Sequence, residues 1–217
     1  MKISKGGIDI LLGSGLIFLI FVLLAVFVKA TILTFFTVLF GLFFLFNFYF
    51  FRDPERKIPA ETNAILSPAD GKIVQICEVE EKEFFKAKVK RISIFLSIFN
   101  VHVNRIPISG TVEYFNYHRG KFFAAYKKEA SYENERTIIG IKSSNNNQIL
   151  FSQIAGVLAR RVMCDIREGY TVKSGERMGL IRYGSRVDVF FPIDKVELKV
   201  STGYIVKGGE SILGYYK

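Results

Sequence analysis

YTVKSGERMG (170–179) and YIVKGGESILG (204–214) share the frame Tyr-x-Val-Lys-x-Gly-Glu. Each runs from a β-branched stretch into a glycine turn and back into an apolar run, the pattern of a β-hairpin. Two weakly similar hairpins predict a duplicated β unit. The period-two signal continues outward from them. Ile92, Ile94, Leu96 and Ile98 alternate with Ser93, Phe95 and Ser97; Val187 and Val189 flank Asp188; Val196, Leu198 and Val200 flank Glu197 and Lys199. Residues 111–117, 138–142, 148–154 and 159–166 also favour strand, and 121–130 is the best helix candidate. The expected fold class is mostly β, a β-rich α+β domain built from duplicated hairpin units.

The N-terminal quarter obeys a different rule. Twelve of the 22 phenylalanines fall in residues 1–51, whose only charges are Lys2, Lys5, Asp9 and Lys29. Residues 10–28 and 30–51 carry no charge at all. A bilayer core needs about 20 apolar helical residues to cross, so the stretch is long enough to cross twice. The expected organisation is a helical, hairpin-like membrane anchor at 1–51, a linker at 52–63 with two prolines and alternating charge, and a β domain at 64–217. Lys2 and Lys5 precede the anchor and Arg52, Arg56 and Lys57 follow it, against Lys29 alone in the middle. The positive-inside rule then puts both ends, and the domain, on the cytoplasmic side of the inner membrane.

The net charge is +10, and all but two of those charges belong to residues 52–217. Beside a membrane anchor, such a surplus points to anionic lipid headgroups rather than nucleic acid as the partner. Cys77 and Cys164 stand in no CxxC spacing and read as reduced cytosolic thiols. With two histidines and two cysteines, no metal site is expected.

There is no GxxxxGK[ST] loop, GxGxxG fingerprint, HExxH or GxSxG elbow, which sets aside nucleotide-dependent and common hydrolase chemistry. Three islands remain: SPADG (67–71), FNVHVNRIP (99–107) and RYGSRVD (182–188). Each alone reads as structure: an Asx-turn around Asp70, a buried His102, a Gly184-Ser185 turn. Together they supply the parts of a relay in which Asp70 orients His102 and His102 takes the proton of Ser185.

SPADGKI (67–73), FNVHVNRIPISGTV (99–112), NER (134–136), QIAGVLARRV (153–162) and GERMGLIRYGSRVDVFFP (175–192) resemble the short, proenzyme form of the phosphatidylserine decarboxylases. The resemblance runs from about residue 53 to 192 and implies a lyase that makes its own cofactor. Ser185 would attack the Gly184 carbonyl, and the chain would part into a β chain (1–184) and an α chain (185–217) headed by a pyruvoyl group. The two chains would stay together as a heterodimer, with room for a higher oligomer. The pyruvoyl ketone would form a Schiff base with phosphatidylserine and take up the electrons released with carbon dioxide, leaving phosphatidylethanolamine. Neither a metal nor pyridoxal phosphate would be needed.

The resemblance also implies a substrate-binding part for Arg160 or Arg161, since neighbouring strand residues face opposite ways. Longer relatives carry a histidine where this chain has Phe99, which leaves both proton transfers to His102, or the second to water or another residue. His118 reads as a surface residue, and the role of Asn134, Glu135 and Arg136 does not follow from sequence. Two rival readings are a hairpin adaptor similar to the biotinyl/lipoyl carriers, without a modifiable lysine motif, and a membrane serine hydrolase using the same trio.

Overall fold

The computed structural model describes residues 2–124, 130–157 and 161–217. It divides into two compact units, Met1–Pro54 and Glu55–Lys217. The first is a helical hairpin. Helix α1 (Ile8–Val28) ends where Lys29 turns left-handed (φ 52°), and its N–H reaches Ala25 O at 3.1 Å. Helix α2 (Thr31–Phe50) follows after extended Ala30. The helices meet through phenylalanines set against glycines: a Cβ on Gly15 would lie 3.1 Å from the Phe44 ring, and one on Gly41 would lie 3.0 Å from Phe18. Strands β1 (Lys2–Ile3) and β2 (Arg52–Asp53) pair antiparallel and close the open end, so the charged flanks lie together and Lys29 sits at the far tip. Both helices are long and apolar enough to cross a membrane.

The second unit is a β domain whose strands fall into two copies of one pattern. One copy contains β6 (Val103–Arg105), β7 (Gly110–His118), β8 (Arg136–Lys142), β9 (Gln148–Ala155), β10 (Val162–Cys164), β11 (Thr171–Val172) and β12 (Arg177–Ile181). The other contains β3 (Ala64–Leu66), β4 (Gly71–Glu81) and β5 (Ala87–Leu96), then resumes with β13 (Ser185–Pro192), β14 (Val196–Leu198), β15 (Ile205–Val206) and β16 (Ile212–Tyr216). The large sheet, in the order β11-β7-β8-β9-β13-β5-β4-β15, reads the same way outward from its middle in both directions. The small sheets, β10-β12-β6 and β14-β16-β3, match in the same sense.

The correspondence extends to irregularities. The β4–β5 ladder slips between Ile73 and Gln75, and the β7–β8 ladder slips between Val112 and Tyr114. Gly175 N–H donates to Ile106 O and Gly209 N–H to Ser67 O, both at 2.8 Å. The two hairpins quoted from the sequence are therefore equivalent parts of a larger duplication. In one copy, β8 turns into β9 through residues 143–147; in the other, the whole second copy is inserted between β5 and β13.

The core gathers Ile73, Ile92, Ile94, Val187 and Val189 from one copy with Val112, Ile139, Ile141, Ile149 and Phe151 from the other. Met178, Ile181, Leu213 and Tyr216 close it from the small sheets. The helix expected over 121–130 is described only at its ends: Lys121 makes a parallel bridge to Asn134, Ala130 opens the short helix α3 (Ala130–Glu133), and 125–129 lie outside the described residues. Residues 159 and 160 of the strand expected at 159–166 also lie outside them.

Both cysteines are free thiols. Burial pushes the Cys164 thiol up to about 11, against smaller opposing effects of the Ile166 backbone and Arg167. Because the thiolate is the nucleophile, iodoacetamide at pH 8 is expected to alkylate Cys164 far more slowly in the folded protein than after denaturation, as followed by peptide mass.

Candidate active site

An inserted repeat forces the chain to cross between copies twice, outward through 97–102 and back through 182–184. The crossings lie against each other. Ile181 N–H reaches His102 O at 3.4 Å, and the Gly184 N–H donates to His102 Nε2 at 3.2 Å. The outward crossing starts with a closed turn in which Asn100 Oδ1 accepts from Ser97 N at 2.9 Å and from Ser97 Oγ at 2.8 Å. His102 follows, fully buried, with Nδ1 3.0 Å from Asn100 O. A carbonyl can only accept, so Nδ1 carries the proton and Nε2 presents its lone pair toward Gly184.

The return crossing is bent by two left-handed residues, Tyr183 (φ 54°) and Gly184 (φ 75°). A Cβ at position 184 would meet only Ile98 Cγ2, at 3.9 Å. Backbone conformation rather than lack of space therefore calls for glycine here. Ser185 then opens β13, seated between Leu96 of β5 and Ala155 of β9. Its side chain is fully buried, and its Oγ has no hydrogen-bond partner among the described residues. An unpaired buried hydroxyl costs about 1–3 kcal/mol, a state that Ser93 and Ser152 on the neighbouring strands share; what sets Ser185 apart is its place directly after the left-handed Gly184. Just beyond it, Arg186 Nε and Asp188 Oδ1 pair at 2.9 Å, with both side chains buried, and Arg186 also bonds Ser131 Oγ.

Asp70 is not where the relay expectation put it. Its carboxylate takes both Arg56 Nη2 contacts, at 2.8 and 2.9 Å, and the Gly208 N–H at 2.7 Å. The repeat supplies the reason. Ser109 occupies the equivalent position before β7, and its Oγ accepts from Ser174 N–H at 2.9 Å. Both side chains clamp the tip of their own hairpin, so the fold itself requires Asp70 there. The contact expected between Asp70 and His102 is replaced by the one from the Asn100 carbonyl.

Asn134 and Glu135, opaque in the sequence, turn out to brace the walls of the site. Asn134 Nδ2 donates to Phe123 O and to Ala155 O, each at 2.7 Å, and its Oδ1 accepts from Phe123 N at 2.8 Å. Glu135 Oε1 accepts from Val162 N at 2.9 Å. The pair thereby fixes the segment at 121–123 and both ends of the loop between β9 and β10. Arg136 bonds the Tyr132 carbonyl at 2.6 Å. Beneath them, Thr137, Gln153 and Asn104 form a buried chain through bonds of 2.7 and 2.8 Å, joining β8 and β9 to β6.

Of the two candidate arginines, Arg160 lies outside the described residues. Arg161 is exposed, and its carbonyl accepts from Arg182 N at 3.3 Å, placing it at the rim of the return crossing. Burial and Glu135 raise the Tyr117 phenol, while nearby Arg119 and Arg161 act against that rise. His118 ends β7, half-exposed, with Nε2 3.4 Å from Glu83 Oε2. Burial alone would raise the Glu83 carboxyl, but hydrogen bonds from Tyr114 and Asn116 and the neighbouring His118 hold it below its usual value.

Fold and site define a class: a duplicated β domain with an internal serine buried behind a left-handed glycine, next to a neutral histidine. The family model described as phosphatidylserine decarboxylase matches residues 43–214. The chain is 49% identical over 174 residues to a phosphatidylserine decarboxylase proenzyme of a Wolbachia from Brugia malayi, covering 76% of this chain and 73% of the relative. It is 48% identical over 175 residues to the proenzyme of that name from Cytophaga hutchinsonii (81% and 79% covered). For the one from Desulfotalea psychrophila, identity is 45% over 178 residues (82% and 83%). The chain belongs to the phosphatidylserine decarboxylase family.

The clamp at Asp70 is open to a thermodynamic test. Arg56→Met leaves the Asp70 carboxylate without its cation and Asp70→Asn leaves Arg56 with only the Glu210 carboxylate at 3.6 Å, and each is expected to cost about 3 kcal/mol. Unfolding of the full chain in detergent should show the double variant losing less than the sum of the singles. Full additivity would mean that the pair does not act as one unit.

Proposed function

We propose that the protein is a self-processing phosphatidylserine decarboxylase, forming phosphatidylethanolamine with a pyruvoyl group made from Ser185. The observation that carries the proposal is the buried, unpartnered Ser185 Oγ directly after a left-handed glycine tied to His102. The relatives compared above are named as proenzymes, which supports the same reading.

In this mechanism His102 Nε2, held as the neutral tautomer by the Asn100 carbonyl, accepts the Ser185 hydroxyl proton. Ser185 Oγ attacks the Gly184 carbonyl carbon, the Gly184–Ser185 amide bond breaks, and the glycyl group passes from nitrogen to oxygen. The resulting ester is removed by β-elimination. The Ser185 Cα proton leaves, the Cβ–Oγ bond breaks, and Gly184 keeps the oxygen as its terminal carboxylate. The dehydroalanine left at 185 tautomerises to an imine, which takes up one water and releases one ammonia.

The site fits a pyruvoyl group at this position because the parent side chain is enclosed between β5 and β9 and has no structural hydrogen bond to lose. Such a group supplies an electrophilic carbonyl and an electron sink for decarboxylation. His102 remains beside it to return a proton, and the Asn134–Glu135 brace keeps the surrounding loops in register. Arg161 at the rim offers a guanidinium to the substrate's phosphate or carboxylate. Asp70 acts through the fold, by clamping the 207–211 hairpin. The apolar helix pair anchors the protein in the inner membrane with the domain on the cytoplasmic side, where anionic lipids attract its positive charge.

The test is release of carbon dioxide from carboxyl-labelled phosphatidylserine in mixed vesicles, run beside a gel. Ser185→Ala is expected to give one chain and no release. His102→Ala should slow cleavage by about 100-fold or more. Gly184→Ala has room to fold but carries about 1–2 kcal/mol of left-handed strain, and should cleave slowly. Wild-type rates in Ser185→Ala would refute the proposal, as would fluorophosphonate labelling of Ser185 in a chain that releases no carbon dioxide.

A further inference from the structure

Three segments tied to the Gly184–Ser185 region each hold an exposed apolar side chain. Phe99 of the 97–100 turn is 63% exposed, Val157 of the β9–β10 loop 57%, and Phe122 39%. Their positions are set by the site itself. Ile98 lies beneath Gly184, Asn134 bonds both Phe123 and Ala155, and Ala155 is the ladder neighbour of Ser185. Exposed Arg119 and Lys121 lie next to Phe122 along the chain, and exposed Arg161 precedes β10; Lys121 pairs with Glu133 at 2.8 Å, and Arg119 and Arg161 both act on the Tyr117 phenol. The opposite end of the large sheet, where β7 begins and β8 ends, is instead lined by Ser109, Thr111, Glu113, Lys142 and Ser143.

We propose that Phe99, Val157 and Phe122 form a docking tip seated in the headgroup–acyl boundary of an anionic bilayer. Exposed apolar side chains together with exposed cations are the composition that binds such an interface, through buried apolar area together with attraction to anionic lipid. The occupant follows from this charge complementarity and from the apolar helix pair on the same chain. The inference rests on the proposed lipid substrate, and it says how a buried position 185 meets a headgroup whose tails stay in the membrane. The tip enters the interface, and the headgroup rises between the loops toward the His102–Gly184 contact.

The chain contains no tryptophan, so a single introduced indole reports without background. Phe99→Trp, Val157→Trp and, as a reference at the far end of the sheet, Tyr170→Trp would be placed separately in the full chain. Each would be reconstituted in phosphatidylglycerol–phosphatidylcholine vesicles with or without brominated acyl chains. The docking tip predicts blue-shifted emission at 99 and 157 and loss of most of it to bromine, with Tyr170→Trp unaffected. Raising salt in phosphatidylcholine-rich vesicles should weaken the quenching. Emission at 99 and 157 that is no more quenched than at 170 would overturn the inference, even in a protein that cleaves and decarboxylates. Quenching in a protein that never cleaves would leave the docking tip standing and remove the proposed function instead.

Discussion

The hydrogen bond from Gly184 N–H to His102 Nε2 joins the two places where the chain passes between its β repeats. Everything else in the site is arranged around that seam. The inserted repeat ends at Ile181 and the interrupted one resumes at Ser185, so the intervening residues must turn sharply in the left-handed region. In the uninterrupted copy the equivalent connection, 143–147, is an ordinary hairpin loop with no histidine beside it. Insertion of one repeat into another thus sets a left-handed turn against an imidazole. The core strands on either side, β5 and β9, pair with Ser185 at the end of that turn.

The duplication also separates structural from chemical roles. Asp70 and Ser109 hold equivalent hairpin tips, as do the glycines at 209 and 175. Features present in both copies belong to the fold. Among the described residues, the Asn100 carbonyl on Nδ1 and the Gly184 N–H on Nε2 have no counterpart at the 143–147 connection, and they are the features free to serve chemistry. The Arg186–Asp188 pair and the Asn134–Glu135 brace contribute rigidity around them.

Much of this was legible in the sequence because the residue types were constrained. Charge-free runs on either side of Lys29 marked two helices, and the Tyr-x-Val-Lys-x-Gly-Glu frame marked both hairpins. The extent of the repeat was not legible, since β5 pairs with β13 across the whole inserted copy and Leu96 faces Ser185 with no local signal of it. His102, Gly184 and Ser185 are picked out by their chemistry and by family resemblance; the structure brings His102 to Gly184, the residue before Ser185. The partner of Nδ1 was missed because a main-chain carbonyl has no residue-type signature, whereas an aspartate invites a relay. Asn134 and Glu135 likewise acquire meaning only once the loops they hold are in place.

The most direct test of the account is the intact mass of the purified wild-type protein. Self-processing at the seam predicts two chains, 1–184 ending in a free carboxylate and 185–217 lighter by one ammonia than a chain beginning with free serine. A single 24.7 kDa species that persists on long incubation, or a 185–217 chain with an unmodified serine at its head, would contradict it.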